Sequence, residues 1–331
     1  MESHHDFSAH RQAPGRRLSR RSLLGWSAVG TFGAAAGLFT AWTTHNGTAH
    51  NGTAHNGTAH NGTAHNENAS RGRVLFQDVF AGRSLSRNRW NPYMCDNNSK
   101  GRPWFMQPGI AVPSSAIGGE NGRNAAYDLP SAVSVNDGLT MIAYRGTKAA
   151  GYSWTGSVIC SRPTSNNFGS GTAHVTGFTF ADARVEVRAK MPDLTGGQWP
   201  SIWFLPAWAG PGAEIDLFEG GFLAKGKDPN RLMAVKLFTD GNQQRIVDCG
   251  VDLSAGYHTY AMEYRQGSSI RFFFDDSNVY TCTRNVPVGR YFIILSNGIA
   301  SARTVGWHTQ VSDSTPAVNL MQVSYVRVLA L

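Results

Sequence analysis

Residues 184–190 alternate strictly between charged and apolar side chains, in the order Arg-Val-Glu-Val-Arg-Ala-Lys. Successive side chains of a β-strand point to opposite faces, so this order predicts a strand with one wet face and one buried face. Similar short apolar runs, separated by turn residues, continue to the C-terminus, and no run of comparable length has the period of a helix. The pattern therefore predicts an all-β fold, an antiparallel β-sandwich with many strands.

Several strand boundaries are visible in the sequence. Asn136-Asp137-Gly138 separates two apolar runs, residues 132–135 and 139–144, and is typical of a hairpin turn because Asn and Gly tolerate positive φ angles. The further predicted strands are residues 178–191, 198–205, 213–218, 232–238, 257–264, 270–274, 291–297 and 321–329. Together they place one domain at residues 71–331.

Residues 1–44 have a different character. Arg20 and Arg21 stand shortly before an uncharged stretch, residues 23–42, that is rich in Gly, Ala, Ser and Thr. This order resembles a twin-arginine export signal and predicts an extracellular, cell-wall or periplasmic protein. A retained membrane anchor over residues 22–42 is the alternative, because a helix of about 20 residues spans about 30 Å of hydrocarbon.

Residues 45–70 contain four copies of His-Asn-Gly-Thr-Ala and a degraded fifth copy. Together with the first 44 residues, this segment holds eight of the eleven histidines. A period of five gathers the histidines on no single face of a helix or strand, and Gly, Asn and Thr provide no core. We interpret the segment as a flexible linker, with weak association with metal or cell wall as the alternative.

The composition narrows the function classes. Only 16% of residues are charged, whereas 41% are hydrophobic and 11% aromatic, which excludes a disordered or coiled-coil protein. The net charge of +8 is scattered without a basic patch interleaved with aromatics, so nucleic acid is not an expected partner. The four cysteines, Cys95, Cys160, Cys249 and Cys282, lack the C-x-x-C spacing of a zinc site and allow three disulfide pairings. Cys249 and Cys282 border predicted strands and are positioned to bridge them.

Three acidic residues interrupt an apolar run in Glu214-Ile215-Asp216-Leu217-Phe218-Glu219. Burying three carboxylates is costly, because charged groups resist leaving water and each raises the pKa of its neighbours. Glu214 and Asp216 share a strand face, but Glu219 lies five residues from Glu214 and would point to the other face of an unbroken strand. A β-bulge near Leu217 and Phe218 would bring Glu219 back to that face. A calcium site is the alternative, but calcium loops usually carry Gly, Asn and backbone carbonyls between their acids.

The acidic motif matches the E-[ILV]-D-x-x-E signature of glycoside hydrolase family 16. Residues 180–190 resemble the family strand Y-G-x-[FV]-E-x-R-x-K, and residues 191–203 resemble its P…G-x-W-P-A-x-W segment. With further similar segments at 76–80, 257–264 and 325–328, the resemblance covers nearly all of residues 73–329. It implies a jelly roll of the concanavalin and lectin type, with a concave substrate cleft.

The resemblance also implies the roles of the acids. Glu214 would be the nucleophile and Glu219 the general acid/base of a retaining mechanism, with Asp216 between them. Trp199 and Trp203 are four residues apart, so they share a strand face and are expected to stack on sugar rings. A purely structural role for one of these two tryptophans is the alternative.

Glu186, Arg188 and Lys236 complete the predicted substrate-binding residues. Glu186 and Arg188 either line the cleft or form an exposed charged stripe. Lys236 stands on the strand after the acids, where many glucanase-like members of the family carry a histidine. A lysine there would favour an anionic or sulfated sugar, unless it faces solvent.

These observations predict an exported, endo-acting, retaining glycoside hydrolase that cleaves a β-linked glucan, such as a β-1,3-glucan, or a galactan. A transglycosylase on the same site and a carbohydrate-binding jelly roll without turnover are the alternatives, although a lectin-like protein has no reason to keep all three acids. We expect a monomer that requires no cofactor and holds no catalytic metal; a structural calcium ion is compatible with the fold. Polysaccharide is the expected partner, and membrane contact is expected only through an uncleaved N-terminal segment.

Overall fold

The computed structural model describes residues 72–92, 95–97, 103–105, 123–146, 152–162, 177–207, 213–239 and 241–331, with the backbone alone described at 95–97 and 103–105. All of these residues fall within one compact unit, Ala64–Leu331. The predicted export signal in residues 1–44 and the predicted linker in residues 45–70 lie outside the described residues. Within the described ranges, no helix is long and apolar enough to cross a membrane.

The described residues form β-strands joined by turns and by short 3-10 segments. The strands are β1 (Val74–Asp78), β2 (Cys95–Asn97), β3 (Pro103–Phe105), β4 (Ala126–Asp128), β5 (Val133–Val135), β6 (Leu139–Arg145), β7 (Trp154–Cys160), β8 (Ala183–Lys190), β9 (Gln198–Pro206), β10 (Glu214–Glu219), β11 (Leu232–Phe238), β12 (Gln243–Asp248), β13 (His258–Arg265), β14 (Ser269–Phe274), β15 (Ser277–Cys282), β16 (Tyr291–Ile299) and β17 (Val318–Ala330). The 3-10 segments are Pro130–Ala132, Pro229–Arg231 and Ala302–Thr304.

The strands form two layers that continue into each other. The first layer, which we call the acid sheet because β10 lies in it, has the order β12-β11-β10-β9-β16-β7. The second layer, the opposite sheet, has the order β6-β17-β8-β13-β14-β15, and β7 pairs with β6 to join the two. Every pairing is antiparallel except the short parallel pair of β4 and β7. The predicted antiparallel β-sandwich is confirmed.

The core lies between the two layers, where the alternating side chains of each strand meet. On β8, Val185, Val187 and Ala189 are fully buried, whereas the charged residues between them point away from the core. Ile202 and Phe204 of β9 come from the facing sheet and belong to the same cluster of buried side chains. The alternation in residues 184–190 thus reflects the burial of one face of a strand, as the sequence predicts.

Local backbone geometry explains where strands begin and end. The predicted hairpin joins β5 to β6, and its turn has positive φ at Asp137 and Gly138. The run predicted as one strand over residues 178–191 forms a strand only from Ala183, because Asp182 has a φ of 46°. The carboxylate of Asp182 accepts hydrogen bonds from the backbone N–H and side-chain amide of Gln266, which hold this break in place.

Of the three pairings that the sequence leaves open, the one that joins Cys249 and Cys282 does not form. Both are free thiols, whereas Cys160 is disulfide-bonded. Cys249 follows β12 in the acid sheet and Cys282 ends β15 in the opposite sheet, so they do not lie on neighbouring strands of one layer. Burial raises the pKa of Cys249 to about 12 and that of Cys282 to about 11, which keeps both in the unreactive thiol form.

Candidate active site

A β-bulge on β10 brings the three acids to one face. Asp216 lies opposite Trp203 of β9 and Lys236 of β11, and Glu219 lies opposite Ser201 and Ala234 on the same two strands. Three residue steps on β10 therefore match two steps on each neighbour, which is the register shift of one inserted residue. The bulge predicted from the odd spacing of the glutamates is present.

The apolar residues of the bulge pack into the core and so fix the direction of the acids. Leu217 and Phe218 are fully buried and belong to the core between the sheets, together with Ile215. Their side chains anchor β10 to the inner face, so the acids between them must emerge on the outer face of the acid sheet. Asp216 is 2% exposed and Glu219 is 8% exposed, whereas Glu214 is partly exposed.

Burial and crowding of charge make Asp216 the acid most easily kept protonated. Burial raises the pKa of Asp216 well above its usual range, and the negative charges of Glu219 and Glu214 raise it further. The ammonium of Lys236 opposes this effect. The Oδ2 atom of Asp216 is buried without a hydrogen-bond partner among the described residues, so no hydrogen bond to this atom favours the ionised form.

Glu219 has a different environment, because an indole N–H meets one of its oxygens and an ammonium lies against the other. The indole N–H of Trp199 donates a hydrogen bond to Oε1 at 2.9 Å. Lys236 forms an ion pair with Oε2. Lys236 is only 6% exposed, so the alternative in which it faces solvent is wrong. Trp199 and Lys236 thus fix the direction of the Glu219 carboxyl.

An aromatic wall that the sequence analysis missed stands beside Glu219. Phe222, Trp307 and His308 follow β10 and β16 in the chain, and the ring of Trp199 packs edge-on against Trp307 at 5.5 Å. The Trp199 ring also lies 4.9 Å from the ring of His308, and Phe222 lies 5.2 Å from Trp307. Burial lowers the pKa of His308, whose ring nitrogens lie 2.9 Å from the carbonyl oxygens of Thr309 and Gly220.

Trp203 lies on the same face as Trp199 but in different surroundings. Its indole N–H donates to the hydroxyl of Ser296 on β16 at 3.2 Å. Its ring packs on a small apolar cluster on the outer face of the acid sheet, formed by Val158, Cys160, Phe292 and Ile294. The ring stays partly exposed beside Asp216. Trp203 therefore combines a structural contact with a surface that a ligand can reach.

Glu186 and Arg188 are not brought to the acids. They lie on β8 in the opposite sheet and point away from the core. This is the far side of the sandwich from the outer face of the acid sheet, which carries Glu214, Asp216 and Glu219 and which we call the acid face. Glu186 forms ion pairs with Arg184 and Arg327, and Arg188 packs over the ring of Tyr257. The prediction that these two residues line the cleft is therefore wrong. The alternative of an exposed charged stripe is also wrong for Glu186, which is only 2% exposed beneath its two arginine partners.

The described residues contain no group of three or more His, Cys, Asp or Glu side chains arranged to hold a metal ion. The acid face carries carboxyl groups and aromatic rings. Three acids lie along one strand: partly exposed Glu214, buried Asp216 with its raised pKa, and Glu219, which contacts Trp199 and Lys236. This arrangement is suitable for nucleophilic and acid–base chemistry.

The chain is similar to known proteins in sequence and in fold. The sequence model of glycosyl hydrolases family 16 matches residues 131–319, which include all three acids and more than half of the chain. The β-glucanase of Bacillus subtilis (strain 168) is 30% identical over 138 residues, which are 40% of this chain and 54% of that protein. The β-glucanase of Bacillus amyloliquefaciens is 31% identical over 124 residues, 36% of this chain and 49% of that protein. The chain thus spans about half the length of the curated relatives it matches.

Solved structures show the same fold at lower identity. The endo-β-1,3-glucanase from Pyrococcus furiosus matches with a TM-score of 0.57 and 19% identity, over 78% of this chain and 94% of that one. The laminarinase catalytic domain from Thermotoga maritima matches with a TM-score of 0.58 and 17% identity, over 79% of this chain and 99% of that one. At such identities the likeness concerns the architecture, which is that of a jelly roll.

Proposed function

The chain belongs to glycosyl hydrolases family 16, and from this premise we propose that it is an endo-acting β-glucanase that cleaves a β-1,3-linked or mixed-linkage glucan with retention of configuration. The observation that carries the proposal is the bulge that sets Glu214, Asp216 and Glu219 on one face of β10. The similarity to β-glucanases of two Bacillus species supports glucan over galactan as the substrate.

The three acids divide the reaction between them. The Glu214 carboxylate attacks the anomeric carbon while protonated Glu219 gives its proton to the leaving glycosidic oxygen, which frees one end of the chain. Glu219, now a carboxylate, then takes a proton from water, and the water oxygen displaces Glu214 from the anomeric carbon. Asp216, kept neutral by its raised pKa, is able to donate a hydrogen bond to a neighbouring glutamate and orient it.

The aromatic residues supply the sugar contacts. Trp199, Trp203 and Trp307 stand around Glu219 and Asp216 and offer ring faces to the apolar surfaces of pyranose rings. Neither the chemistry nor these contacts call for a cofactor, and we propose that the enzyme works as a monomer without one. Activity unchanged after dialysis against a chelator, and a monomer mass in solution, are the expected results.

We also propose that the protein is exported through its twin-arginine-like segment. The support is in the sequence, where Arg20 and Arg21 come shortly before a long uncharged stretch. Replacing both arginines with lysine is expected to retain the protein inside the cell. Export that continues in this variant would refute the twin-arginine route.

The enzyme activity is tested by product analysis. Wild-type protein is incubated with laminarin, mixed-linkage glucan, agarose and carrageenan, and oligosaccharide size and product anomer are followed by chromatography and NMR. We expect oligosaccharides from the glucans, with the β-anomer formed first. Glu214→Gln should abolish release, whereas Glu263→Gln on the opposite sheet should retain it. Full activity in Glu214→Gln, or the α-anomer as the first product, would contradict the proposed mechanism. The formation of longer chains by transfer would indicate a transglycosylase. Binding without cleavage would indicate a lectin-like protein.

A further inference from the structure

Lys236 is a buried lysine beside the three acids that has no part in the proposed bond-making and bond-breaking steps. It lies on β11 opposite Asp216 and reaches diagonally along the sheet to Oε2 of Glu219. Glu219 is the one carboxylate that pairs with Lys236 among the described residues. Burying a lysine is costly unless the charge is compensated, so this pairing is a specific feature of the site rather than a surface contact.

Aromatic rings keep the ammonium where it is. The Nζ atom of Lys236 lies 4.2 Å from the centroid of the Phe222 ring and 5.4 Å from that of Phe238. A cation is attracted to the negative face of such rings, and the attraction grows when water is excluded. Two rings and one carboxylate therefore hold Lys236 on the outer face of the acid sheet, beside the proposed acid/base.

The groups around Glu219 act in opposite directions on its protonation. Lys236 from β11 and the indole N–H of Trp199 from β9 favour the carboxylate. Asp216 and Glu214 on its own strand disfavour a further negative charge when they are ionised. His308 lies on the neighbouring loop, and burial lowers its pKa, which keeps it neutral over most of the pH range.

We propose that Lys236 is a positioning residue that aims the Glu219 carboxyl across the acid face and, as the positive charge in contact with it, sets the pH above which the enzyme stops cleaving. The inference rests on the proposed role of Glu219 as acid/base. Glu219 must take up a proton from solvent before the first step. Once Glu219 has passed that proton to the leaving oxygen, the ammonium stabilises the carboxylate that must next act as base.

Removing the ammonium has a defined consequence. Without Lys236 the protonated form of Glu219 persists to higher pH, so the alkaline limb of the activity profile moves up. An opposite charge at contact distance shifts such an equilibrium by about one pH unit or more. The second step, which needs the carboxylate, becomes slower at low pH. An arginine at this position keeps the charge and should preserve the wild-type profile.

The test compares Lys236→Met, Lys236→Gln and Lys236→Arg with a matched control, Lys227→Met. Lys227 also pairs with a carboxylate, that of Asp248, but on an exposed part of the surface. The pH profiles of kcat and kcat/KM are measured on the glucan that the wild type cleaves. The ¹⁵N indole resonance of Trp199, assigned with Trp199→Phe, is followed over the same pH range, because its N–H donates to Glu219 and reports the ionisation of that group without turnover.

We expect the alkaline limb and the indole titration to move up by about one pH unit in Lys236→Met and Lys236→Gln, and to stay in place in Lys236→Arg and Lys227→Met. The inference is overturned if the indole titration is unchanged in Lys236→Gln. It is also overturned if only KM rises, since Lys236 would then be the sugar contact predicted from the sequence. If the wild type cleaves none of the polysaccharides, the proposed function fails, while the indole titration still decides whether Lys236 controls Glu219.

Discussion

Replacing Trp199 with phenylalanine separates the hydrogen bond to Glu219 from the ring that makes it. Phenylalanine keeps an aromatic side chain beside Trp307 and His308 but removes the indole N–H that donates to Oε1 at 2.9 Å. A hydrogen bond to a charged group contributes about 1.5–3 kcal/mol. Because each 1.4 kcal/mol corresponds to about a factor of ten, we expect kcat to fall about 10- to 100-fold.

The matched comparison is Trp203→Phe. Trp203 lies on the same face of β9, but its N–H donates to the neutral hydroxyl of Ser296, and at the longer distance of 3.2 Å. A neutral hydrogen bond contributes about 0.5–1.5 kcal/mol, so the loss should stay below about tenfold. It should appear mainly in KM, since Trp203 contacts no proton that moves in the reaction.

The assay is steady-state kinetics of both variants on the same glucan at the pH optimum of the wild type, with thermal unfolding to show that the fold is retained. The two variants should differ in which kinetic constant changes, kcat or KM, as well as in the size of the change. Equal losses in the two variants, or a larger loss in Trp203→Phe, would refute the claim that the Trp199 N–H acts on the chemistry through Glu219.

Two further predictions concern stability. Burial raises the pKa of Asp128 from 3.8 to about 7. Between about pH 4 and pH 7, Asp128 is therefore protonated in the folded state and ionised in the unfolded chain. The free energy of unfolding of the wild type falls as pH rises through this window. Asp128→Asn should therefore gain up to about 4 kcal/mol over wild type on going from pH 4 to pH 7 in urea unfolding, and a constant difference would contradict this. Gly221→Ala should lower the free energy of unfolding by about 2 kcal/mol or more, because φ is +83° and a Cβ would lie 2.3 Å from Cε1 of His308. Gly226→Ala, at a φ of +72° with open space around it, should cost only the backbone strain of about 1–2 kcal/mol, and equal losses in the two would show that the contact with His308 is unimportant.

The sequence predicts strands well where a strand has one wet face. Residues 184–190 and the hairpin at Asn136-Asp137-Gly138 are examples, since alternation and turn chemistry act locally. It misses β7, in which every residue from Trp154 to Cys160 is buried and no alternation is visible. It also misses β12, a polar strand whose position depends on pairing with β11 rather than on its own pattern.

Some features of the site can likewise be predicted from the sequence, whereas others cannot. The odd spacing of Glu214 and Glu219 requires a bulge if they are to act together, and the register of both neighbouring strands contains it. Alternation alone does not reveal which sheet a strand joins, and Glu186 and Arg188 belong to the sheet without the acids. Phe222 and His308 form an isolated bridge between loops far apart in sequence, and no local signal marks such a contact.

The protonation of the three acids follows from their neighbours rather than from the motif itself. Three carboxylates this close cannot all be ionised in a buried site, because each raises the pKa of the others. Lys236 and Trp199 supply their charge and hydrogen bond to Glu219. Asp216, which is the most buried and has no partner at Oδ2, is left as the group on which a proton is held at least cost. An acid of raised pKa between the two glutamates reduces the negative charge that gathers on this face when either glutamate is ionised.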